Sequence, residues 1–298
     1  MAMKEPVAYL NGAWIPASDA KVSVHDNGFI QGTTIAERLR TFRGKLFHLD
    51  QHLARLSRSL AIIGIDLPIP IPTLGQIAEE LAERNHALLD PSDDLGMVLF
   101  VTPGIEGKPT ICLHTESLAF HTWVDKYTTG DSLAETSVQQ IPSECWPPEL
   151  KCRSRMHYFL ADREARLKVP GSRAIMLDAN GWVTEASTAN LLVYNSKEGL
   201  ISPPPDMILP GVTVAAIAEL APRCNLSFIH RPIRVSDLID ADEVLLCSTS
   251  PVVWSVTQFN GGALKQPSPG PVVTALQRAW SEMVGVDLVA QAKRFARR

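Results

Sequence analysis

A chain of 298 residues, 45% hydrophobic and 20% charged, has enough apolar side chain to bury a sizeable core without disulfide or metal support. A net charge of −4 and a pI near 6.1 argue against a nucleic-acid or membrane surface, and no apolar run approaches the roughly 18 residues of a membrane span. Five scattered cysteines without CxxC spacing, behind a start (MAMKEPVAYLNG) lacking a signal-like apolar run, read as reduced thiols of a cytoplasmic protein.

In chain order, residues 7–16 alternate around Asn11-Gly12, a strong hairpin signal, and residues 34–49 read as two strands folded at Arg43-Gly44. Asp50 is the expected N-cap of a helix with Leu53, Leu56 and Leu60 on one face, and a second helix is expected over 73–89. Strands follow at 96–102 and 110–116. Domain expectations are a smaller N-terminal α/β domain over 1–118, a connection over 119–131 and a larger C-terminal domain over 132–298. In the latter, a helix over 154–168 carries Met156, Phe159, Leu160 and Leu167 on one face, with Glu164 and Lys168 spaced to pair. Residues 173–202 read as a meander turning at Asn180-Gly181 and near Lys197–Gly199. A helix at 212–222, the strand EVLLCSTS and a closing helix over 270–285 complete the reading.

Four elements carry chemistry. Lys151, behind two prolines and ahead of a helix, is the residue type that joins an aldehyde cofactor, although a solvated surface lysine would look the same. Glu185, inside the strand VTEASTANLLV, is placed to bond a pyridine nitrogen or simply to face water. Gly211-Val212-Thr213 opens a helix, where free amides suit a phosphate, and Ser248-Thr249-Ser250 offers a second set of hydroxyls and amides after a strand. The histidines show no HExxH or similar spacing, so no metal site is expected.

Taken in order, these segments resemble the fold-type IV (class IV) aminotransferases dependent on pyridoxal 5′-phosphate. That group includes branched-chain aminotransferase, D-amino acid aminotransferase and aminodeoxychorismate lyase. The resemblance spans about residues 7–261: DNGFIQGTTIAERLRTFRGKLFHLDQHLARL looks like the N-terminal signature, VTEASTANLLV, ILPGVT and STS like the cofactor segments. It implies a two-domain α/β (α+β) protein of the D-amino acid aminotransferase-like architecture, usually a homodimer. It further implies a Schiff base on Lys151, Glu185 on the ring nitrogen, and a phosphate held by Arg55, Val212, Thr213 and the Ser248, Thr249, Ser250 loop. The implied substrates are an amino acid, branched-chain by default, and a 2-oxo acid.

Departures from the pattern bear on substrate. Cys152-Arg153-Ser154-Arg155 follows the lysine where relatives carry a small residue and then Asn, making Arg153 and Arg155 candidates for a substrate carboxylate or for plain solvent-facing roles. Arg40 is another such candidate. Pro103 stands where some relatives have a carboxylate-binding arginine, which counts against a D-amino acid pocket, and Trp254 replaces a small polar residue. A lyase resembling aminodeoxychorismate lyase and a non-catalytic cofactor binder are the alternatives; retention of both Lys151 and Glu185 speaks against the second.

Overall fold

The computed structural model describes residues 5–297. These divide into two compact units, one comprising the chain up to Leu118 with Glu149–Ser154, the other Ala119–Pro148 with the chain from Arg155 onward.

In the first unit, β1 (Val7–Leu10) and β2 (Ala13–Pro16) form the expected hairpin, with Asn11 at φ 50° and Gly12 at φ 95°. Two successive left-handed residues make the turn whose twist matches paired strands, and only glycine adopts the second without cost. Helix α1 (Asn27–Ile30) precedes β3 (Ile35–Phe42), which turns back through Arg43 and Gly44, again both at positive φ, into β4 (Lys45–Leu46). Helices α2 (Leu49–Ile63) and α3 (Ile71–His86) follow, then β5 (Leu95–Ile105) and β6 (Lys108–Ser117). Among the described residues the sheet runs β2-β1-β6-β5-β3-β4 and is antiparallel throughout. Leu56, Leu74, Leu81, Met97, Leu99 and Leu113 are wholly buried where α2 and α3 pack with it. Each contributes about 1.5–3 kcal/mol of apolar burial. Asp50 is not the N-cap of α2. That place belongs to His48, at φ 47°, and Asp50 lies in the first turn, where its charge meets the positive helix end. The second helix starts two residues earlier than expected because Pro72 fits the first turn, where no amide hydrogen is needed.

In the second unit, residues 119–131 do not run as bare connection: they hold a helical turn at Phe120–Thr122 and α4 (Lys126–Thr129), whose Tyr127 hydroxyl donates to the Pro251 carbonyl at 2.7 Å. Then come β7 (Asp131–Glu135), α5 (Met156–Lys168), β8 (Arg173–Leu177), β9 (Val183–Ala186), β10 (Asn190–Asn195) and β11 (Gly199–Ser202). After α6 (Val212–Leu220) and β12 (Phe228–His230) follow α7 (Val235–Asp240), β13 (Glu243–Ser248), β14 (Val252–Phe259) and β15 (Gly262–Ala263). Helix α8 (Pro271–Val284) and the unexpected α9 (Leu288–Phe295), capped by the Asp287 carboxylate, end the described chain. The sheet order is β12-β11-β10-β13-β14-β7-β8-β9, with β15 on β14. Residues 173–202 are therefore not a simple meander: β8–β9 and β10–β11 are hairpins, but β10 enters the sheet beside β13 while β9 stays at the edge. Buried on both faces, β10 reads as an apolar run rather than an alternation.

The face of α5 also departs from expectation. Met156, Phe159, Leu160 and Leu167 are 69, 66, 43 and 77% exposed, whereas Ala161 and Ala165 are the buried residues. The small residues bring the helix close to Ala134, Ala174 and Met176, leaving no space for larger ones. Ala165→Leu is expected to destabilise the protein by about 1–3 kcal/mol through overpacking, read as a lowered urea midpoint; an unchanged midpoint would refute this packing.

Candidate functional site

In the first unit, the chain around Lys151 pairs with the edge of β3. The Ala36 amide donates to the Lys151 carbonyl at 3.1 Å, the Arg153 amide to the Thr34 carbonyl at 2.8 Å, and Cys152 bridges Ile35 antiparallel. The Lys151 amide itself donates to Ser59 Oγ on α2 at 3.1 Å.

His52, Arg55 and Ser59 lie three and four residues apart on α2 and are all buried, so they share one inward face. From β3, Glu37 meets that face. Arg55 donates from Nε to Glu37 Oε1 at 2.8 Å and from a terminal nitrogen to Oε2 at 2.7 Å, and His52 Nδ1 lies 2.8 Å from Oε2. Burial alone would raise the Glu37 carboxyl, but the Arg55 guanidinium and the hydrogen bonds from Arg55 and His52 outweigh it and hold it at about 2. His52 is pushed below the usual histidine range, first by burial and further by the positive Arg55 and Lys151 nearby. A neutral imidazole donating Nδ1–H to the carboxylate fits both shifts.

In the second unit, Glu185 on β9 is buried, and its Oε1 accepts from Gln140 Nε2 at 2.9 Å and from the Tyr158 hydroxyl on α5. Tyr158 is raised well above the usual phenol range, by burial and then by the Glu185 charge, so it remains a donor. Helix α6 opens at Gly211 without a side-chain cap, leaving the first-turn amides of Val212 and Thr213 outside the helical bonding ladder. Glycine is required at that cap: a Cβ there would collide with Asn190 Oδ1, and the Asn190 amide nitrogen holds the Leu209 carbonyl at 2.9 Å. Ser248 ends β13, its Oγ 3.5 Å from the Thr188 carbonyl, and Thr249 and Ser250 form the turn into β14. Thr188 at φ 63° and Val252 at φ 66° are β-branched residues in the left-handed region. Such strain, about 1–3 kcal/mol per residue, concentrates at ligand-holding loops.

The arginines suggested for substrate differ. Arg40 is 1% exposed with its guanidinium over the Phe42 ring at 4.3 Å, Arg153 is exposed, and Arg155 is half-buried, its charge acting on His157 and Tyr158. Trp254 is core: it lies in β14, almost wholly buried, and donates to Asp131 at 3.2 Å. Sequence reading missed Glu37, His52, Ser59, Gln140 and Tyr158. The only available signal was the polar stripe His52–Arg55–Ser59 beside the apolar stripe of α2.

In the first unit Lys151 offers a part-buried amine; in the second, a buried carboxylate accepting two hydrogen bonds and a helix start without a side-chain cap are groups of the kind that suit a pyridine nitrogen and a phosphate. The chain belongs to the amino-transferase class IV family, whose model matches residues 34–259, and it is accordingly a pyridoxal-phosphate-dependent transaminase. It is similar to a D-alanine aminotransferase of Staphylococcus aureus, 29% identical over 93% of this chain and 97% of that protein. A putative branched-chain-amino-acid aminotransferase of Methanocaldococcus jannaschii is 26% identical over 92% and 95%. In fold it matches the solved branched-chain aminotransferase of Thermoproteus uzoniensis with a TM-score of 0.81, at 23% identity, covering 94% of this chain and 95% of that one.

Since the folded Glu37 carboxyl lies near 2 against an ordinary 4.5, its ionic network stabilises the fold fully above pH 4.5 and is lost as pH falls through 2. Glu37→Gln is expected to lower stability at pH 7 and to flatten the acid limb between those values, measured by urea unfolding across pH; an acid limb like the parent's would contradict the pairing.

Proposed function

We propose that this transaminase exchanges the amino group of a branched-chain amino acid with a 2-oxo acid, using Lys151 and Glu185 as its central residues. Bound pyridoxal phosphate supplies the electron sink for the bond broken at the substrate α-carbon. Lys151 would supply the amine that holds the cofactor and the base that carries the substrate α-proton. Glu185 would pair with the ring nitrogen and keep its proton in place. Val212, Thr213 and the Ser248, Thr249, Ser250 loop, with Arg55, anchor the phosphate through charged hydrogen bonds of roughly 1.5–3 kcal/mol each. In this reading the larger second unit carries most cofactor contacts, and the first carries Lys151 and Arg55.

The buried, doubly hydrogen-bonded Glu185 is the observation that supports this reading most, because a carboxylate so enclosed needs a cationic partner or donors to stay charged. The substrate class is supported by Pro103, which offers no charge to a carboxylate where some relatives carry arginine. Arg155 is the best placed of the three arginines to take that role, being half-buried in the same neighbourhood as Tyr158. The exposed apolar residues of α5 support association as a homodimer, and the five free thiols support a reducing, cytoplasmic setting.

The purified protein, incubated with pyridoxal phosphate and 2-oxoglutarate, is expected to convert L-leucine, L-isoleucine and L-valine at least tenfold faster than D-alanine, and to elute at twice the chain mass. Faster turnover of D-alanine would overturn the substrate reading, and pyruvate release from aminodeoxychorismate without an acceptor would favour the lyase.

A further inference from the structure

We infer that Tyr158, assisted by Gln140, is a positioning residue that fixes Glu185 and lowers its hold on a proton, so that the proton stays on the cofactor's ring nitrogen. The inference rests on the reading that Glu185 faces that nitrogen.

Both donors converge on one oxygen, Oε1, from separate parts of the second unit. Tyr158 is the third residue of α5, and Gln140 lies in the irregular chain after β7. The orientation of the Gln140 amide is itself set: its Oε1 accepts from the Ile141 amide at 3.2 Å, and its backbone amide donates to the Leu177 carbonyl at 2.8 Å. That bond turns Nε2 toward Glu185 and makes the side chain a donor there. Tyr158 has no competing role as a base, since burial and the neighbouring carboxylate keep its hydroxyl protonated, against the opposing pull of a hydrogen bond from Gln140 and of the Arg155 charge.

The chemistry follows from donor count. Each neutral donor favours the charged carboxylate over the neutral acid, so two on one oxygen reduce its proton affinity. A weakly basic carboxylate beside a pyridine nitrogen forms an ion pair with the ring proton and leaves it on nitrogen, and only the protonated ring draws electrons strongly. A carboxylate without those donors would compete for the proton and rotate more freely. Relatives with no hydroxyl at this position would need another means of holding the glutamate. A plain structural staple between α5 and β9 would use the same hydrogen bond but would not touch the ring proton, and the two can be separated by spectroscopy.

The test loads the parent protein, Tyr158→Phe, Gln140→Leu and Glu185→Gln with pyridoxal phosphate labelled with ¹⁵N in the ring, and records the ¹⁵N shift, cofactor Kd, kcat and KM. The parent is expected to show a pyridinium shift. Tyr158→Phe should move it toward neutral pyridine and lower kcat by about ten- to a hundredfold, the effect of one charged hydrogen bond, with KM for the amino acid within about twofold. Gln140→Leu should move the shift the same way but less, and it decides the matter if Tyr158→Phe fails to fold, because Gln140 lies outside α5. A parent-like shift in folded Tyr158→Phe, whatever its kcat, or a parent-like shift in Gln140→Leu when only that variant folds, would overturn the inference while leaving the role of Glu185 intact. A parent-like shift in Glu185→Gln would overturn the underlying reading of Glu185, and the inference with it.

Discussion

The short strand pairing of Cys152 on Ile35 fixes the main chain around Lys151 within the first unit. A chain that has left the first unit at Leu118 returns to it for only six residues, Glu149–Ser154, and the return is secured by backbone bonds to Thr34 and Ala36 and by the Ser59 hydroxyl. Each such bond contributes a modest net 0.5–1.5 kcal/mol, yet together they give Lys151 a fixed backbone on β3 and α2. The same pairing satisfies the exposed edge of β3 near Ile35, where unpaired amides and carbonyls would otherwise face open space. In the proposed role, in which Lys151 would hold the cofactor, a fixed main chain would keep its amine in register.

Beneath that strand lies a buried ionic cluster. Arg55 could not be buried alone, and Glu37 offsets its charge through a bidentate contact that also locks the guanidinium plane. Such pairs add little net stability over apolar packing, so their use here is orientation. In the second unit the buried Glu185 carboxylate accepts hydrogen bonds from the neutral Gln140 amide and the Tyr158 hydroxyl.

Much of this was legible in the sequence, for physical reasons that differ by element. The turns at Asn11-Gly12 and Arg43-Gly44 demanded positive φ at both centres, and the chain supplies it. Glu185 and the STS segment stand out as polar groups in or after apolar strands, Lys151 as an amine behind two prolines and ahead of a helix, and ILPGVT as a helix start. The face of α5 misled, because Met156, Phe159, Leu160 and Leu167 outnumber the two alanines that do the packing, and periodicity ranks size above fit. Glu37, His52 and Ser59 look in sequence like the wet side of their elements. Their burial depends on β3 and α2 packing against each other, which the pattern of neither element shows by itself. Gln140 sits in a stretch with no period at all, and Tyr158 is hidden among charged neighbours.

In the proposed mechanism Lys151 alone would carry the cofactor. Borohydride reduction of the protein loaded with pyridoxal phosphate, followed by proteolysis and mass spectrometry, would fix the label where it was bound. The account predicts one phosphopyridoxyl group per chain, on the peptide containing Lys151 and lost in Lys151→Ala. A label on another lysine, or none on the parent protein, would contradict it.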